Sequence, residues 1–200
     1  MNKIQVRGII LRKIMIIVGP SGAGKTSVSD YLCDRYQIPR VVTHTTRPKR
    51  SGEVDGEAYY FEDAESFKRL HFFEHVVYSG AQYGSSHEAL VKAWSKSDLV
   101  SLIVEMSGVF SYLHALKTQV VLIYLTVSHP ETMLRQRLIA RGDAPKAVDA
   151  RLASPEFRRD LKLPDQLKPF AHVIVNDDWA ETKQKLDALV ASLRDSGEIK

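Results

Sequence analysis

Gly19-Pro20-Ser21-Gly22-Ala23-Gly24-Lys25-Thr26 is preceded by Ile14-Met15-Ile16-Ile17-Val18 and followed by a run in which Val28, Tyr31 and Leu32 share one helical face. The stretch 14–18 is apolar, mostly β-branched and without alternation, the pattern of a strand buried on both faces of a parallel sheet. The residues that follow fit G-x-x-x-x-G-K-[ST] in the context that pattern requires, with a strand leading in and a helix leading out. Gly22 and Gly24 permit backbone angles that a side chain would forbid, so successive N–H groups can converge on phosphate oxygens. The helix beginning at Lys25 adds its positive end. Lys25 supplies a point charge to the β- and γ-phosphates of a nucleotide, and the Thr26 hydroxyl is placed to bind Mg2+. The whole of Gly19 to Ser27 is therefore the expected ATP-binding segment.

The rest of the chain is compatible with that start. Of its 200 residues, 44% are hydrophobic and 26% charged, which suits a single α/β domain over 1–200. A formal charge of +4 would serve an enzyme handling small polyanions as well as a nucleic-acid binder, so charge alone decides nothing. The single cysteine, Cys33, cannot make an internal disulfide or a cysteine-based metal site, which favours a reducing, intracellular setting. Lys3 and Arg7 precede an apolar run as in a signal peptide, but Arg12 and Lys13 interrupt it. What remains, Ile14 to Val18, is too short for a secretory segment or a membrane span, so the expectation is a soluble, cytoplasmic protein. Residues 1–12 read either as a loosely attached extension or as the start of the first strand.

Periodicity extends the α/β pattern. The first helix fades near Tyr36, before Pro39. Residues 40–85 differ in texture, with Val41 and Val42 giving way to Thr, Arg, Gly and Tyr, and a short helical stretch from Glu62 to Leu70. This segment reads as an inserted substrate lobe, leaving 13–39 and 86–200 as the core. The pattern resumes with a helix over 86–95, a strand over 99–104, a helix over 108–116 and a strand over 120–126. Ser128 and Glu131, with Pro130 between, form a capping signature for a helix over 130–141 whose Leu134 and Leu138 face inward. Val173 to Val175 is a last short strand and 179–193 a terminal amphipathic helix. The expected architecture is a three-layer α/β/α fold of the P-loop NTPase type around a parallel sheet.

From Gly19 onward the chain resembles the guanylate kinase family over most of its length. The strongest evidence lies outside the phosphate loop. Thr45-Thr46-Arg47-Pro48-Lys49-Arg50-Ser51-Gly52-Glu53-Val54-Asp55-Gly56-Glu57-Ala58-Tyr59-Tyr60-Phe61 is similar to the family's GMP-binding segment, and Tyr83-Gly84-Ser85 follows at the family's spacing. Many P-loop proteins share the first motif, whereas few share all three blocks in this order. The resemblance implies that Arg47, Arg50, Tyr59 and Tyr83 grip the GMP phosphate, a dianion that guanidiniums and tyrosine hydroxyls can clamp by charge-assisted hydrogen bonds. It places Thr43, Glu74, Ser85 and Glu105 at the guanine ring. A carboxylate suits guanine because the base presents N1–H and N2–H donors side by side, where adenine presents an acceptor. Arg137, Arg141 and Arg151 match the family's lid and catalytic arginines, in a lid around 137–151, and Asn176 matches a position near the adenine of ATP. Arg137 and Arg141 stand four apart and so share a helix face.

The activity implied is transfer of the ATP γ-phosphoryl group to GMP or dGMP. ATP, the monophosphate and Mg2+ are the implied partners, with no nucleic acid or membrane, in a monomer or homodimer. The chain also departs from the pattern. Where the family carries a pair of aspartates separated by a single residue, this sequence has Ile103 and Glu105. Loss of the first removes a carboxylate expected to order the water shell of Mg2+. Thr43 stands where serine is usual, and His44 reads as a surface histidine. The lid after Arg141 is slightly short, and Pro155 is expected to interrupt the helix that follows Arg151. These departures keep two rivals in view: a kinase for another monophosphate or for a sugar phosphate, and a catalytically silent binding module.

Overall fold

The computed structural model describes residues 12–78, 80–197 and 199. The reading of residues 1–11 lies outside them. In chain order the elements are β1 (Lys13–Val18), α1 (Lys25–Tyr36), β2 (His44–Thr45), β3 (Tyr60–Phe61), α2 (Ala64–Lys68), β4 (Phe72–Tyr78), β5 (Ala81–Ser86), α3 (His87–Trp94), β6 (Leu99–Ile103), α4 (Met106–Leu116), β7 (Val120–Thr126), α5 (Pro130–Ala140), α6 (Pro145–Ala153), α7 (Pro155–Asp160), β8 (Ala171–Val175) and α8 (Trp179–Asp195). No described helix is long and apolar enough to cross a membrane.

The main sheet is fully parallel, in the order β6-β1-β7-β8. Every residue of β1 is buried because both faces of the strand are covered. Met15 and Ile17 pack with Val28 and Leu32 of α1, Leu134 of α5 and Leu186 and Val190 of α8. Ile14, Ile16 and Val18 pack with Leu90 of α3 and Val109 and Tyr112 of α4. Two helical layers enclose one sheet, the α/β/α arrangement expected. Burying each such aliphatic side chain contributes roughly 1.5–3 kcal/mol.

A second, smaller sheet runs β3-β2-β5-β4 and is built from residues of the 44–86 stretch. Its β4–β5 hairpin is absent from the sequence reading. Phe72-Phe73-Glu74-His75-Val76-Val77-Tyr78 does not alternate cleanly, and the register shift between Phe72 and Glu74 breaks the period further. The short helix α2 is tighter than its predicted span, since Asp63 caps it by accepting from the Glu65 and Ser66 amides.

Two further readings meet the structure differently, and a third holds. The capping signature at Ser128 does not form: His129 is the N-cap of α5, without a side-chain cap, and Pro130 occupies the first turn. Ser128 instead donates its backbone N–H to Asp177 Oδ1 at 2.9 Å, which pulls it out of capping position. His44 is not a surface residue but 4% exposed, with Nδ1 2.8 Å from Glu62 Oε1 and Nε2 2.8 Å from Ser86 Oγ. Two polar partners from β3's flank and the start of α3 make that burial affordable. Pro155 does interrupt the helix: Ser154, at ψ 148°, ends α6 and caps α7.

Candidate active site

The phosphate loop leaves β1 and turns into α1 at Gly24. Gly22 and Gly24 both stand at positive φ, 88° and 100°. A Cβ on Gly24 would also lie 2.5 Å from Asn176 Nδ2, so this position needs glycine for space as well as for conformation. Ala23 is buried, whereas Thr26 and Ser27 are exposed at the first turn of α1. Lys25 Nζ donates to the Gly19 carbonyl at 2.6 Å and to the Pro20 carbonyl at 3.0 Å. Burial lowers its pKa, opposed by the negative charges of Asp160 and Glu105.

This loop lines a cleft of about 1080 Å³ together with Arg137, Arg141, Asn176 and Trp179. Arg137 donates to the Asn176 carbonyl at 2.7 Å, which fixes its guanidinium on the β8 side of the cleft. Arg141 and Arg151 converge on a single carboxylate, Asp143, at 2.6 and 3.1 Å. The hydrogen bond from Arg141, then the charges of both arginines, hold Asp143 below the usual carboxylate range. Arg151 also reaches Ser21 Oγ of the loop, at 3.3 Å. The Asn176 amide braces the loop from below: its Nδ2 donates to the Ala23 carbonyl and its Oδ1 accepts from Thr182, each at 2.8 Å.

A second group gathers on the smaller sheet. The Arg47 guanidinium lies 5.6 Å from the Tyr59 ring centroid, and Tyr59 meets Tyr83 edge to face at 5.9 Å. Glu53, which the sequence reading did not single out, pairs with Arg47 through both oxygens, at 2.7 and 3.0 Å, and accepts the Arg50 amide at 2.8 Å. The exposed Arg50 is thus tied here through its backbone. Thr43 and Tyr59 line a neighbouring cavity of about 300 Å³ with Ile103, so the position expected to carry an aspartate presents an apolar wall.

A third group is the most telling electrostatically. Glu74 extends from β4 toward the start of α4, where Gly108 leaves it room: a Cβ there would sit 1.7 Å from Glu74 Oε2. Burial, then the charge of Glu105, pushes the Glu74 carboxyl up to about 7. Beside it the Ser85 hydroxyl is buried, with no hydrogen bond of good geometry, yet close enough to Glu74 and Tyr112 to oppose the upward shift of each. Tyr112 of α4 closes the same pocket, and burial raises its hydroxyl pKa. A raised carboxyl beside a buried hydroxyl is a polar surface able to receive further polar partners. Glu105 acts on both Lys25 and Glu74, so the phosphate loop and this pocket share one carboxylate.

The structure therefore brings the expected residues into three adjoining groups. It adds Glu53, Asp143 and Tyr112, together with Arg159, whose guanidinium pairs with Glu105 at 3.3 Å and Asp160 at 2.8 Å. Only Glu53 lay within a quoted motif; the others carry no local signal, because their partners are distant in sequence.

Comparison with known proteins gives the family. A family profile described as guanylate kinase matches residues 11–193. A guanylate kinase of Thermus thermophilus is 33% identical over 194 residues, covering 94% of this chain and 84% of that protein. One of Anaplasma phagocytophilum is 30% identical over 183 residues, covering 88% and 85%. The crystal structure of guanylate kinase from Anaplasma phagocytophilum superposes with a TM-score of 0.61, covering 92% of this chain and 87% of that one at 24% identity, a likeness of fold.

Proposed function

The chain belongs to the guanylate kinase family, and from that premise we propose that it transfers the γ-phosphoryl group of ATP to GMP, and to dGMP, giving ADP and GDP or dGDP. The observation that carries this reading is the raised Glu74 carboxyl beside the buried Ser85 hydroxyl, next to the Glu105 carboxylate that also acts on Lys25. Guanine offers two adjacent N–H donors that an ionised Glu74 can receive, and adenine would leave that buried charge unpaired.

Residues 40–85 supply the acceptor lobe and 137–151 the lid. Arg47, Arg50, Tyr59 and Tyr83 take the GMP phosphate, with Arg47 exchanging the Glu53 carboxylate for it. Thr43 and Ser85 add hydroxyls on the acceptor side. Arg137, Arg141 and Arg151 neutralise charge that spreads over the equatorial oxygens during transfer, once Asp143 releases two of them. Asn176 keeps the loop in shape on the ATP side. The acceptor oxygen is already anionic, so no general base is needed, and catalysis consists of positioning, charge neutralisation and exclusion of water.

The donor set suits Mg2+. Thr26 is an exposed hard-oxygen donor beside Lys25, and Glu105 and Asp160 add negative charge around that lysine. Thr26 would hold the ion together with the ATP phosphates, where it neutralises their β- and γ-charges. The reaction fits a cytoplasmic setting, in keeping with the unpaired, exposed Cys33.

The test is ADP release measured across a panel of monophosphates with ATP and Mg2+. Turnover with GMP and dGMP well above that with AMP, CMP or UMP supports the reading. A preference for another base would assign Ile103 and Glu105 a role in resetting the pocket, and absence of turnover with every acceptor would favour a silent binding module.

A further inference from the structure

The break before Pro155 re-aims the chain. Ser154 Oγ accepts the Phe157 N–H at 3.1 Å, and Phe157 is buried in the core cluster that also holds side chains of α1, α5 and α8. The short helix α7 is thereby anchored at both its start and its middle, and its last residues reach the carboxyl edge of the main sheet. There the Tyr124 hydroxyl donates to the Asp160 carbonyl at 2.9 Å. The Arg159 guanidinium joins the Asp160 side chain to Glu105. Tyr124 belongs to β7 and Glu105 follows β6, and β1 lies between those strands. Arg159 therefore ties together groups that flank the strand feeding the phosphate loop.

What Arg159 holds is the carboxylate shared by the two sites. Glu74 is enclosed by Ser85 from β5, by Tyr112 and the Gly108 backbone from α4, and by Glu105 at the start of that helix. The charged group that acts on Glu74 is thus of its own sign, and a like charge nearby opposes ionisation. Glu105 makes no capping bond to α4, so the helix does not fix its side chain. A guanidinium can engage two carboxylates at once through its planar fork, which an ammonium cannot do as well.

Resting on the guanylate kinase reading, we infer that Arg159 is a positioning residue for recognition of the acceptor base. By pairing with Glu105 it holds that carboxylate at the loop edge and offsets its charge, leaving Glu74 able to ionise and receive the guanine donors. The interrupted helix is the device that brings it there. Because Arg159 and Glu105 are both exposed, solvent screens the pair and the effect is graded rather than absolute.

The test is calorimetric titration of GMP into the full chain, without ATP, from about pH 6 to about pH 9, a range that brackets the Glu74 midpoint near 7. Arg159→Ala is expected to bind GMP about threefold to fivefold more weakly at neutral pH, the size of a screened ion pair, and to approach wild-type affinity at the alkaline end. Arg159→Lys should lose less. In a Glu105→Gln background, Arg159→Ala should change neutral-pH GMP affinity little, because the charge to be offset is gone. Wild-type affinity in Arg159→Ala at every pH, or a loss that is constant with pH and equally large in the Glu105→Gln background, overturns the inference while the parent reading stands. Failure of the unaltered chain to bind GMP at any pH overturns both.

Discussion

The Lys25 ammonium is folded back onto the Gly19 carbonyl, 2.6 Å away, at the mouth of its own loop. On the proposed reading this is where a nucleotide's terminal phosphates arrive, and ATP has to replace backbone carbonyls as the partners of that charge. Substituting Lys25 by Met keeps the aliphatic stem and removes the charge. Turnover should fall by at least about 100-fold, the scale seen when one transition-state donor is deleted. Thermal melting should change little, and a Lys25→Met enzyme with near-normal turnover would contradict the assigned role.

Glu74 sets a pH dependence whose sign follows from its environment. Burial and Glu105 raise its carboxyl to about 7, so it is protonated below that pH and ionised above it. Guanine's donors require the ionised form, so GMP affinity should rise as pH passes upward through about 7, with proton release on binding near the midpoint. Calorimetry in buffers of different ionisation enthalpy measures that release. Glu74→Gln should abolish it and weaken GMP binding by roughly 10- to 100-fold, the range for losing a charged hydrogen-bond acceptor. In the ligand-free protein the linkage runs the other way: a carboxyl raised by burial favours the fold at low pH, and that contribution is lost as pH climbs through about 7.

Gly108 separates stability from recognition. A methyl group there would meet Glu74 Oε2 at 1.7 Å, but Oε2 is the end of a side chain that can swing away. Alanine also favours a helix interior over glycine by about 1 kcal/mol. Gly108→Ala should therefore melt at the same temperature or higher while its KM for GMP rises and its KM for ATP holds. A rise in both KM values would place the effect elsewhere.

Asn176 should behave in the opposite way. Its amide is buried and bridges Ala23 to Thr182, and Thr182 is itself fully buried. Asn176→Ala leaves buried polar groups unpaired and should cost about 2–4 kcal/mol of unfolding free energy, read by denaturant titration. Weakened ATP binding should accompany it, since the loop loses its brace.

The parts of this architecture legible in the sequence are those in which neighbouring residues carry their own constraint. The strand Ile14 to Val18, the glycines at 22 and 24 and the face shared by Val28 and Leu32 specify one another locally, and the structure holds them as read. Leu134 and Leu138 are fully buried for the same reason. His44 was misread because its burial depends on Glu62 and Ser86, 18 and 42 residues away. Asp143 carries no motif; its meaning comes from Arg141 and Arg151 closing on it. Pro155 was legible as a break, but nothing local reveals that the break directs Arg159 to Glu105 across 54 residues. Polar partnerships across the fold are set by topology, which periodicity does not encode.

Direct transfer between the two nucleotides is the claim on which the rest depends. Incubating the protein with GMP, Mg2+ and ATP labelled in its γ-phosphoryl group, then resolving the products, tests it most directly. The label is expected in the β-phosphate of GDP, mole for mole with ADP, with little free phosphate and none of this with Lys25→Met. Label recovered chiefly as inorganic phosphate, or ATP left intact beside GMP, would contradict it.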